Sequence, residues 1–151
     1  MIQKWLLSGI IAFTLILTFS PCSYAKVVEY KLNVNTQKVN ISGKEAEALV
    51  LNSAIPGPTL KAVVGDTMRV EVTNNLDIDT SIHWHGVLVP NNMDGVPYVN
   101  GPPIKPGETF VYEFPIKHSG TYWYHAHSAL QEQQGVYGSL VFYPKNEVKD
   151  Y

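Results

Sequence analysis

The chain has 151 residues, with 11 lysines and arginines against 13 acidic residues and a formal net charge of −2. Arg69 is the only arginine and the lysines are scattered, so there is no basic stripe, which argues against nucleic acid as a partner. A single cysteine, Cys22, excludes a disulfide framework within the chain.

Lys4 followed by the largely apolar run 5–19 reads as an export leader, and its 15 residues fall short of the about 20 that a helix needs to span a bilayer. Pro21 closes the run, and the small residues Ser23 and Ala25 suit cleavage between Ala25 and Lys26. This predicts a secretory signal peptide over 1–25 and a single domain over 26–151. Pro21 directly before Cys22 disfavours a lipoprotein signal, and with one arginine in the chain there is no twin-arginine pair. Because Cys22 falls inside the leader, the domain offers no thiolate ligand. No second apolar span follows, so the expected product is exported by the general secretory route and carries no membrane anchor.

After the leader, Val28, Tyr30, Leu32 and Val34 alternate with Glu29, Lys31, Asn33 and Asn35, the period of a half-buried strand. Residues 44–49 allow a short helix. Alternation returns at Met68, Val70 and Val72, and again at Phe110, Tyr112 and Phe114. Turn signals separate the runs at Pro56-Gly57-Pro58, Gly65-Asp66, Asn74-Asn75, Asp94-Gly95, Pro106-Gly107 and Ser119-Gly120. Many short strands between such turns predict an all-β sandwich or barrel.

Two motifs carry the chemistry: His83-Trp84-His85-Gly86 and His125-Ala126-His127. In a strand, successive side chains alternate faces, so each H-x-H unit points both rings to one side, roughly 7 Å apart at Cα. Two such units aim four imidazoles at one place, and neutral imidazole is the commonest protein ligand for copper, zinc and iron. The rings are expected on inward faces, where burial without a metal or hydrogen-bond partners is costly. Trp84 is expected in the core, worth about 2–3 kcal/mol and fixing the directions of its neighbours. His118 reads as a solvated turn residue, Met93 as a gap filler rather than a soft copper ligand, and Gln131, Glu132, Gln133 and Gln134 as a polar loop in preference to the lining of an entrance. Asp94 is either a turn former or an acid that handles protons near the metal.

Pro56-Gly57-Pro58-Thr59, Gly65-Asp66-Thr67, Thr73-Asn74-Asn75-Leu76, the first histidine motif, Asp94-Gly95-Val96-Pro97, residues 120–127 and Gly135-Val136-Tyr137-Gly138 form an ordered set over 52–144. That set resembles the N-terminal, plastocyanin-like cupredoxin domain of multicopper oxidases, the group of laccases and ascorbate oxidase. Residues 90–97 are most similar to the bacterial copper-resistance oxidases. The resemblance implies a Greek-key β-sandwich and a trinuclear type 2/type 3 copper cluster. It assigns His83 to type 2 copper and His85, His125 and His127 to the type 3 pair, with Asp94 in the place of a proton-relay acid. A complete enzyme of the family also carries two later motifs with four more cluster histidines and a type 1 site, and these 151 residues contain neither motif.

The expected function is therefore the copper-binding domain of a split or truncated periplasmic multicopper oxidase, completed by a C-terminal oxidase chain and serving copper tolerance. The competing reading is a stand-alone periplasmic copper-binding or buffering protein without turnover. A zinc site and a remnant of an interrupted gene are weaker readings.

Overall fold

The computed structural model describes residues 25–146; the predicted signal peptide, apart from Ala25, lies outside them. The elements are β1 (Val27–Val39), β2 (Ala46–Leu51), β3 (Leu60–Val63), β4 (Thr67–Asn74), β5 (His83–His85), a 3-10 turn (Asn91–Met93), β6 (Thr109–Pro115), β7 (Gly120–His125) and β8 (Tyr137–Tyr143). They form two four-stranded sheets, in the orders β2-β1-β4-β6 and β3-β8-β7-β5. The fold is all-β, and of the sandwich and the barrel that the alternation leaves open it is the sandwich. Strands β1 and β4 pair in parallel, as do β3 and β8, while every other pair is antiparallel. No helix of the described residues is long and apolar enough to cross a membrane.

The alternating positions face the core as expected: Leu32, Val34, Met68, Val70, Val72, Tyr112 and Phe114 are all buried. The short helix allowed at 44–49 does not form, because β2 pairs with the extended end of β1, Ala46 opposite Val39 and Leu51 opposite Val34. Ladder bonds and the burial of Leu49, Val50 and Leu51 outweigh the helix preference of Glu45, Ala46, Glu47 and Ala48.

Trp84 is fully buried at the centre of the sandwich, with the rings of Phe114 at 5.1 Å, Tyr112 at 5.2 Å and Tyr124 at 6.0 Å. The Tyr124 hydroxyl donates to the Pro58 carbonyl at 2.7 Å, and burial pushes its pKa up. The Tyr112 hydroxyl accepts the Ile82 amide at 3.2 Å, and burial pushes it up to about 12, so it stays protonated at any physiological pH. That bond fixes the chain one residue before His83.

Candidate metal centre

The cross-strand register builds the site. Strand β5 pairs with β7 so that His83 lies opposite His125, Trp84 opposite Tyr124 and His85 opposite Trp123. Trp84 and Tyr124 enter the core, which sends His83, His85, Trp123 and His125 to the other face of the sheet. The histidines thus occupy the outer face, correcting the expectation of inward rings. His85 and His127 are exposed, His83 is half-buried, and His125 alone is buried, with Trp123 stacked on it at 4.2 Å.

The ring nitrogens of His83 and His125 have definable roles. His83 Nδ1 lies 2.7 Å from the Asp94 carbonyl oxygen; a carbonyl only accepts, so this nitrogen donates and leaves Nε2 bare. His125 Nδ1 lies 2.9 Å from the Ala126 carbonyl and 3.1 Å from Glu132 Oε2, which leaves His125 Nε2 bare in the same way. That Nε2 faces His85 Nδ1 at 3.3 Å. Burial lowers the pKa of His125, while the Ala126 bond and the Glu132 charge act against this. A lowered pKa keeps the ring neutral, the form that binds metal.

One ligand atom from each of His83, His85 and His125 falls within 4.8 Å of the other two. The 3.3 Å between His85 Nδ1 and His125 Nε2 is the separation taken by two ligands about 2.0–2.1 Å from one tetrahedral ion. The donor set therefore fits a late transition metal, copper included. His127 stands beside this trio, its ring 5.7 Å from that of His83 and 6.1 Å from that of His125. All four expected ligands share one patch, three converging and the fourth at its edge.

Asp94 reaches the site twice, through the carbonyl on His83 and through its carboxylate, whose Oδ1 lies 3.6 Å from the same Nδ1. It ends the 3-10 turn, and Gly95 follows at φ +78°, where an added Cβ would run into the Ile82 carbonyl. Only glycine lets this loop lie against β5. Asp94 is thus a turn former, and its carboxylate stands beside His83.

Three readings of the surrounding residues change. His118 is not freely solvated: its ring packs edge-on against Tyr122 at 5.0 Å, and Nε2 lies 3.3 Å from the Gly86 carbonyl. Gln131 is not a loop surface residue; it is 1% exposed, accepting from the Thr80 hydroxyl at 2.6 Å and donating to the Asp79 carbonyl at 2.7 Å. Glu132 is not a free loop residue, since its carboxylate lies 3.1 Å from His125 Nδ1. The only sequence signal for these two was their place after the second motif. Met93 is a gap filler as read, its sulfur accepting the Glu113 amide at 3.5 Å.

The comparisons with known proteins agree with this geometry. The chain is 49% identical to copper resistance protein A of Escherichia coli over 113 residues, covering 75% of this chain and 19% of that protein. It is also 49% identical to copper resistance protein A of Pseudomonas syringae pv. tomato over 117 residues, 78% of this chain and 19% of that protein. The chain therefore spans about one fifth of the length of these relatives. The multicopper oxidase of Pseudomonas thermotolerans superposes with a TM-score of 0.78 at 37% identity, over 82% of this chain and 31% of that one. The laccase of Botrytis aclada gives 0.75 at 39% identity, over 79% and 23%. A family model described as multicopper oxidase matches residues 33–147. With that match over most of its length, and with two H-x-H units laid side by side on a cupredoxin-like sandwich, the chain belongs to the multicopper oxidase family.

Proposed function

We propose that the domain supplies His83, His85, His125 and His127 to a trinuclear type 2/type 3 copper cluster, completed by ligands from a C-terminal oxidase chain or domain. His83 serves the type 2 copper, and His85, His125 and His127 the type 3 pair. The assembly couples substrate oxidation to oxygen reduction in the periplasm, as part of copper tolerance. The observation that carries this reading is the His83–His125 register, which gathers three donors within 4.8 Å on an outer face and leaves His85 and His127 exposed. The apolar leader at 5–19 and the likeness to copper resistance proteins support export.

Bound copper supplies one-electron redox chemistry and a site for oxygen. The chain's own residues prepare for it: the Asp94 carbonyl holds the His83 ring with Nε2 bare, Trp123 stacks on His125, and the Asp94 carboxylate stands where it can pass protons to and from the cluster's surroundings. Trp84, Tyr112 and Tyr124 keep the strands beneath the rings stiff, which holds the ligand geometry.

Native mass spectrometry of the protein taken from its own periplasm tests the proposal. A heavier copper-loaded complex with a second chain or domain is the expected result. A lone chain holding one or two coppers would favour a stand-alone copper-binding protein, the reading supported by the fact that the converging trio comes from this chain alone. A lone metal-free chain would overturn both, and equal loading of copper and zinc in competition would remove the preference for copper.

A further inference from the structure

We propose that Glu132 is the positioning residue for His125: its carboxylate sets a negative charge behind Nδ1 that reinforces the Nδ1–H form held by the Ala126 carbonyl, leaving Nε2 bare, and buried Gln131 carries Glu132 into place. The inference rests on the reading of His125 as a copper ligand.

Glu132 Oε2 lies 3.1 Å from His125 Nδ1, and the glutamate side chain is 35% exposed against 7% for the histidine. A carboxylate behind a ligating imidazole fixes its tautomer and orientation and raises the basicity of the far nitrogen. The other acceptor at this nitrogen, the Ala126 carbonyl at 2.9 Å, belongs to the adjacent residue and carries no net charge. Glu132 therefore adds what the backbone lacks.

Its placement is enforced. The Gln131 amide spends both its ends on the segment entering β5, on the Thr80 hydroxyl and the Asp79 carbonyl. Its backbone is tied as well, its amide donating to the Ser128 carbonyl at 3.2 Å and its carbonyl accepting the Val136 amide at 3.0 Å. Glu132 is the next residue, and its own carbonyl accepts the Gly135 amide at 3.1 Å. The loop after the second motif is thus pegged to the chain leading into the first. One buried amide pins that loop to the segment entering β5 and delivers the carboxylate to His125.

The test uses the full chain and Cu2+ as the probe. Glu132→Ala is expected to weaken copper binding by about 10- to 100-fold. Glu132→Gln, which keeps an acceptor without the charge, is expected to lose less. Nitrogen-15 NMR of the metal-free chain should show His125 protonated at Nδ1 in the parent and a larger share of the Nε2–H tautomer in Glu132→Ala, where the neutral Ala126 carbonyl is the acceptor left at Nδ1, with Glu132→Gln falling between the two. Parent-like copper affinity and a parent-like tautomer share in Glu132→Ala would overturn the proposal while leaving the ligand reading intact. Parent-like affinity in His125→Ala would remove His125 from the site, and both readings would fall together.

Discussion

On the outer face of the β2-β1-β4-β6 sheet, Arg69 meets Glu71 at 2.7 Å, Glu29 at 3.3 Å and Glu113 at 3.5 Å, and Lys31 meets Glu71 at 3.2 Å. On the outer face of the other sheet, imidazoles meet one another, and the two carboxylates nearby, of Asp94 and Glu132, stand behind the rings at their Nδ1 atoms. The first face satisfies its own charges. The second presents the Nε2 atoms of His83 and His125 forward and the two carboxylates behind, a donor set of the kind proposed above to hold copper. One sandwich thus carries a face of paired charges and a face of clustered imidazoles, and the difference lies in side chains rather than in strands.

The largest effect should come from the support that both faces share. Trp84→Ala is expected to cost about 3–5 kcal/mol, read as a loss in denaturant midpoint. Trp84 Nε1 has no acceptor among the described residues, so Trp84→Phe loses no hydrogen bond and should cost clearly less. Gly95→Ala should follow, at about 1–3 kcal/mol for the strained backbone. Because it displaces the Asp94 carbonyl from His83, it should also weaken copper binding, which calorimetric titration with Cu2+ would show. His83→Ala should separate the faces: copper affinity falls by more than about 100-fold, beyond the loss typical of a residue behind a ligand, while thermal stability stays near the parent.

Acid should separate them again. The folded pKa of His125 is depressed, so the folded state holds fewer protons than the unfolded one below the ordinary value of 6.5, and stability falls as pH drops through that range. Glu71, held below its ordinary 4.5 by the Arg69 and Lys31 bonds, contributes stability above that value and loses it at lower pH. Melting temperature of the metal-free domain should therefore decline in two stages, and His125→Gln should remove only the first. The smallest effect is expected from Arg69→Met, a slight drop in melting temperature that high salt erases. A large drop would show that the charged face is structural after all.

The strands were legible because half-buried β-structure writes its period into the chain, as in Met68, Val70 and Val72. The pairing of rings within each motif was legible for the same reason. What the chain does not write locally is register: nothing near His83 says that His125, rather than Trp123 or His127, lies opposite it. On the faces the chain's own signals conflict, Trp84 reading as core and the histidines of the opposite face as inward, and Trp84 and Tyr124 win the core by apolar area. Gln131 and Glu132 were read as loop because their partners, Thr80 and His125, are reached only through tertiary folding. Residues 44–49 misled for a related reason, a local helix preference overruled by a ladder with β1.

The parallel ladder between β3 and β8 joins Leu60 to Leu140, and β5 is only three residues long and paired on one side alone. Contacts so distant in sequence close slowly, on the millisecond-to-second scale typical of all-β domains. Until they do, the nascent polypeptide offers a metal only separated H-x-H pairs, each a loose chelator. Order of events then follows from topology: the three donors converge only once β5 and β7 have paired, so the pleated scaffold has to be finished before the proposed copper site exists.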